Sequence, residues 1–269
     1  LDRHRRLRGL LLALLHRPPR RPHLHRHQQP RLLSLHLPRP RHPSVTFPAG
    51  LTSIGSCAFY GCSALSSVTS SPPASPPSAT TPSTAAPPLP VPAGLITIGS
   101  HAFYGCEALG SVTLPAGLTS IGSCAFYDCS SLVSVTFPAG LVTIGSFAFD
   151  GCSSLVSIDL PASLTSINNA AFLSCSALTS IELPATLTSV GHSAFAGCSS
   201  LVSVAFPVSL TSIGSCAFWG CPALNRVTVP TTATIGFGAF TATTVLRLSP
   251  ASMRDLQRWY EAVDLALAY

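Results

Sequence analysis

The sequence predicts a repeat solenoid, mainly β with short helical turns, of about seven 23-residue coils ended by a C-terminal helix. Three observations carry this prediction. Identical residues recur at one fixed spacing, each repeat contains a strand-and-turn pattern, and a helical pattern begins where the repeat stops.

Phe103, Phe126, Phe149, Phe172, Phe195 and Phe218 follow one another at intervals of 23, and Phe59 and Phe240 extend the column at both ends. Pro92, Pro115, Pro138, Pro161, Pro184, Pro207 and Pro230 keep the same interval, as do Cys106, Cys129, Cys152, Cys175, Cys198 and Cys221. Self-similarity at such a period marks stacked supersecondary units.

One unit reads LPAGLTSIGSCAFYDCSSLVSVTF, from Leu114 to Phe137. Its SLVSVTFP piece places Leu132, Val135 and Phe137 on one side and Ser134 and Thr136 on the other, the alternation of a half-buried strand. Pro138 ends that strand because proline has no N–H for a ladder. AGLTSIGS reads as a turn and a second extended piece that points Leu118 and Ile121 inward. CAFYDC is too short for a free helix and reads as one tight helical turn that buries Phe126 and Cys129. A single unit has too few apolar side chains to offset the entropy of ordering its backbone. The coils must therefore stack, spaced about 4.8 Å apart.

The pattern LPxxLTSIGxxAFxxCxSLxSVxLP resembles the BspA-type leucine-rich repeat, over residues 44–69 and 91–240. The resemblance implies a right-handed leucine-rich-repeat solenoid. It also implies a surface protein of the kind found in bacteria and protists, acting in adhesion or in binding host or matrix proteins.

Residues 70–90 interrupt the period: Pro48 to Pro92 spans 44 residues, and removing 70–90 leaves 23. By composition the stretch is a Pro/Ser/Thr-rich linker. A second reading is that it is repeat sequence out of frame. Gly55–Cys62 written with C-ending codons and read one base late gives Ala-Ala-Ala-Pro-Ser-Thr-Ala-Ala, which agrees with residues 79–86 at six of eight positions. Similarly, IGDYA read two bases late gives His4 to Arg8. Either way the insertion should leave the coil of 44–69 free to stack on the one beginning at Val91, with Phe59 against Phe103.

The net charge of +6 belongs to one end of the chain. Of 15 arginines, 11 lie in residues 1–43, with seven of nine histidines, whereas from residue 44 onward there are four Arg against eight acids. Residues 1–43 read as a basic, disordered tail rather than a nucleic-acid arm. RRLRGLLLALLH resembles a signal peptide, but its apolar core, Gly9–Leu15, is short and is followed by His16 and Arg17. No apolar run approaches the ~20 residues of a membrane helix.

Chemistry-bearing patterns are sparse. Cys57/Cys62, Cys124/Cys129 and Cys216/Cys221 have C-x4-C spacing, unlike the close pairs of zinc sites, and the cysteine column reads as core thiols. His101 and His192 stand as single substitutions in a column that elsewhere holds Cys, Phe, Ala or Ser. There is no Ser/His/Asp order, Walker loop or HExxH motif, so the sequence points away from an enzyme and implies no cofactor or metal.

The outward strand positions remain. One column reads Ser67, Ser111, Ser134, Ser157, Ser180, Ser203, Arg226, and the next Thr69, Thr113, Thr136, Asp159, Glu182, Ala205, Thr228. A second hydroxyl column runs Ser53, Thr97, Ser120, Thr143, Ser166, Ser189, Ser212. The candidate contact face is Ser111, Thr113, Ser134, Thr136, Ser157, Asp159, Ser180, Glu182 and Ser203, facing a protein or glycan ligand. An ice- or mineral-binding array is the lower-ranked alternative, because Val133, Val156, Val202 and the acids break its uniformity.

The chain after the last coil, SPASMRDLQRWYEAVDLALAY, places Leu256, Trp259, Tyr260, Val263 and Leu267 on one helical face, with Ser252 as N-cap. This helix should cap the exposed end of the core. The resulting organisation is a tail at 1–43, a first coil at 44–69, the insertion at 70–90, the main solenoid at 91–248 and the cap at 249–269. The reading is a non-enzymatic surface interaction module, with an intracellular scaffold as the alternative.

Overall fold

A computed structural model describes residues 44–47, 50–70, 94–256 and 258. The readings of 1–43, of most of the insertion, and of Trp259, Tyr260, Val263 and Leu267 lie outside those residues.

Each coil makes two short strands and a turn segment. In one coil, strand Ser134–Thr136 is followed by a turn in which the Leu141 N–H donates to the Pro138 carbonyl at 3.1 Å, and then by strand Thr143–Ile144. Proline suits this place because its fixed φ presets a turn and its missing N–H is not needed there. Strands Ser111–Thr113, Ser134–Thr136, Ser157–Asp159, Ser180–Glu182 and Ser203–Ala205 pair in parallel, coil on coil, as a principal ribbon. The two-residue strands form a second ribbon in two runs of four, Ser53–Ile54 through Thr143–Ile144 and Ser166–Ile167 through Thr234–Ile235.

The coil before the insertion does stack on the coil after it. Ser53 and Ile54 pair with Thr97 and Ile98, and the Phe59 and Phe103 rings lie 5.2 Å apart and nearly parallel.

Between the ribbons and the turns lies the core. Phe126, Phe149, Phe172, Phe195 and Phe218 are fully buried and stack at 5.1–5.4 Å, within the range of favourable aromatic pairs. Leu132, Val135 and Phe137 point inward with Leu118 and Ile121, as the alternation predicts.

The CAFYDC segment buries Phe126 and Cys129 as expected, but it is not a helical turn. Its i→i+3 bonds, Tyr127 N–H to Cys124 carbonyl and Cys129 N–H to Phe126 carbonyl, are separated by left-handed φ angles at Cys124 and Asp128. Those angles turn alternate N–H groups out of the coil. Cys124, Phe126 and Asp128 donate to the carbonyls of Ser146, Ala148 and Asp150 in the next coil, at 2.9, 2.7 and 2.8 Å. The same left-handed conformation recurs at Cys57, His101, Phe147, Ala170, Ser193 and Cys216. Each non-glycine instance costs roughly 1–2 kcal/mol, which the inter-coil bonds offset.

The cysteine column adds a second ladder. Sγ of Cys129, Cys152, Cys175, Cys198 and Cys221 donates to the carbonyl of Phe103, Phe126, Phe149, Phe172 and Phe195 in the preceding coil, at 3.2–3.3 Å. All ten cysteines are free thiols.

The C-terminal helix begins earlier than Ser252. It occupies 250–256, and the Ser252 N–H donates to Ser249 Oγ at 3.1 Å, so Ser249 is the N-cap and Pro250 the first helical residue. Proline is favoured there because the first turn's N–H has no partner inside the helix. Met253, not Leu256, is the buried side chain among the described residues of the helix, and Leu256 is exposed.

Candidate ligand-binding face

The principal ribbon brings the predicted face together. Ser134, Thr136, Ser157, Asp159, Ser180, Glu182 and Ser203 are exposed, while Ser111 and Thr113, one coil further back, are half-buried. The register aligns Ser134, Ser157, Ser180 and Ser203 in one row and Thr136, Asp159, Glu182 and Ala205 in the next. The carboxylates of Asp159 and Glu182 thus belong to directly paired residues. Val133, Val156 and Val202 flank the serine row and are 50%, 43% and 61% exposed, so the ribbon alternates hydroxyl, carboxylate and apolar surface.

Along the second ribbon several threonine hydroxyls are tied to the backbone. Oγ1 of Thr188, Thr211 and Thr234 donates to the carbonyl of Thr165, Thr188 and Thr211, at 3.0, 2.9 and 3.3 Å. Exposed Ile96 and Val142 interrupt the row on either side of Thr119.

Two groupings on the turn flank escaped the sequence reading. Tyr60, Tyr104 and Tyr127 stack at 4.6 and 4.5 Å, with Tyr60 more than half exposed and His101 beside Tyr104. The next residue in that column is Asp150, which is buried. Burial, with the Asp128 carboxylate as a second cause, pushes its carboxyl up to about 7 against a partly opposing Gly151 N–H bond. The signal in the sequence is one acid that follows three tyrosines in the column. His192 also moves: its carbonyl receives the Ala170 N–H, which places it in the column of Ser146 and Asn169, one position before His101's. Among the described residues no three His, Cys, Asp or Glu side chains come together as metal ligands, and no helix is long and apolar enough to cross a membrane.

The model of the BspA type leucine rich repeat region matches in six copies, over residues 41–75, 88–179 and 165–252. The chain belongs to this family. A leucine-rich repeat protein from Bacteroides ovatus ATCC 8483 is similar at 29% identity and a TM-score of 0.62, over 76% of this chain and 51% of that one. This chain therefore spans about half the length of that relative. The T. pallidum leucine rich repeat protein shares 31% identity over 57% of this chain and 67% of its own, with a TM-score of 0.46. Pneumococcal vaccine antigen PcpA shares 22% over 72% of this chain and 58% of its own, with a TM-score of 0.36. No curated protein matches the sequence. The BspA-type repeat marks a protein-interaction module, and solenoids of this family are generally scaffolds rather than enzymes.

Proposed function

We propose that this BspA-type solenoid is a non-enzymatic binding module of the cell surface or exterior, whose principal ribbon contacts a protein or glycan ligand. The observation that carries the reading is the contrast between inward and outward columns. Inward positions repeat from coil to coil, whereas the row Thr136, Asp159, Glu182, Ala205 changes at nearly every step while staying exposed. Positions released from packing are where a repeat protein can acquire a specific surface. Exposed Val133, Val156 and Val202 add apolar contact area of the kind that interfaces use.

The test compares Ser157→Trp/Ser180→Trp with Ser166→Trp/Ser189→Trp, the same change on the second ribbon, against arrays of extracellular-matrix proteins and glycans. Binding by the wild type should be lost only with the first pair. Equal loss with both pairs, or loss with the second alone, sinks the assignment of the face.

An intracellular scaffold is the second reading, favoured by ten unbridged thiols of a kind that persist in reducing compartments. Labelling intact cells with a membrane-impermeant reagent separates the two, since an intracellular scaffold stays unlabelled.

A further inference from the structure

The charge of the principal face is negative as far as Ser203, beyond which exposed Arg226 continues the serine row, and this specifies its partner more closely. Residues 44–225 contain no Lys or Arg, and their only formally charged side chains are Glu107, Asp128, Asp150, Asp159 and Glu182. The hydroxyls beside the ribbon have the same bias. Oγ of Ser153, Ser176 and Ser199 donates to the carbonyl of Ser130, Ser153 and Ser176, at 3.3–3.4 Å, and Thr179 Oγ1 donates to the Val156 carbonyl at 3.5 Å.

A hydroxyl has one proton and two lone pairs. Once the proton is directed along the solenoid axis, only lone pairs face outward. The flank of the ribbon therefore offers acceptors, and its centre offers two carboxylates in register. Exposed Val156 and Val202 lie alongside.

We propose that this face docks an extended basic protein segment. Its guanidinium or ammonium groups sit over Asp159 and Glu182, and its aliphatic stems lie on Val156 and Val202. This rests on the assignment of the principal ribbon as the contact face. Lys and Arg heads are donor-only, and their methylene stems cover apolar surface while the charge stays in water. A neutral glycan fits less well, because it has no cation to place over the two carboxylates.

The experiment measures the full chain by fluorescence anisotropy against a labelled 12-residue peptide alternating Arg and Ser. Matched peptides carry citrulline or Glu in place of Arg. Asp159→Asn/Glu182→Gln is nearly isosteric, so circular dichroism should report an unchanged fold. The expected result is at least tenfold weaker binding by this double variant and by the citrulline peptide, and no binding of the Glu peptide. Binding should also be lost at 1 M salt, where screening acts over about 3 Å. Asp255→Asn, which removes one carboxylate from the C-terminal helix, should leave affinity within twofold.

Unchanged affinity in the double variant, comparable loss with Asp255→Asn, or equal binding of the citrulline peptide overturns the proposal. The two levels of inference fail differently. If Ser157→Trp/Ser180→Trp abolishes capture of a matrix protein or glycan that Asp159→Asn/Glu182→Gln still binds, the contact face stands and the basic-partner proposal falls.

Discussion

The turn flank and the principal ribbon of each coil both hold the stack together, but with different groups. On the turn flank, backbone N–H groups, thiols and phenyl rings all reach the neighbouring coil, so nearly every position there has a partner in the stack. On the ribbon, the strand backbone makes the ladder and the outward side chains are left over. The columns in sequence follow this division. Phe and Cys persist through coil after coil, while Thr136, Asp159, Glu182 and Ala205 differ. On the ribbon the serine row stays constant and the row beside it, from Thr136 to Ala205, is the one that differs between coils.

Four substitutions test that division, from the largest effect to the smallest. Phe149→Ala empties the middle of the aromatic stack and should cost about 3–5 kcal/mol, measured by chemical denaturation. A cost below about 1 kcal/mol would show that the stack is not the main support.

Asp150→Leu should act in the opposite direction. Because the folded carboxyl is raised to about 7 from an unfolded value near 4, the native state binds the proton more tightly, and wild-type stability falls as pH rises from about 4 to 7. Above pH 7 the variant should be more stable, on the order of 4 kcal/mol. The advantage should shrink steadily toward pH 4, and melting curves at pH 4, 6 and 8 check it.

Cys152→Ala removes the donor to the Phe126 carbonyl and a small core volume, for about 1–2 kcal/mol. Ser157→Ala, on the exposed serine row, should stay within about 0.5 kcal/mol. If Ser157→Ala matched Cys152→Ala, the contrast between the flanks would collapse.

The 23-residue columns were enough to place Phe126, Cys129, Leu132 and Val135 in the core and Ser134 and Thr136 outside, because alternation and burial are the same fact in a strand. The backbone of the turn was not legible in the same way. Cys124 and Asp128 take left-handed φ, a conformation usually inferred from glycine. The trace in the sequence is the column Gly61, Gly105, Asp128, Gly151, Ser174, Gly197, Gly220, where glycine predominates. Ser252 reads as the N-cap because it precedes the apolar pattern. Pro250 starts the helix three residues earlier than an N-cap at Ser252 would, through its preset φ, which hydrophobic periodicity does not register. The candidate face was readable as positions and not as polarity, since the direction of a hydroxyl proton depends on which carbonyl the neighbouring coil presents.

The thiol ladder makes the solenoid its own strain gauge. Burial raises the Cys106 thiol to about 12 and the Cys221 thiol to about 11, and raises Cys129 and Cys175 well above the usual thiol range. Alkylation requires thiolate, so each core thiol can react only when its own coil parts from its neighbour. The seven core sulfurs from Cys62 to Cys221 are therefore numbered markers along the stack. The order in which they take up label would read out from which end the coils peel.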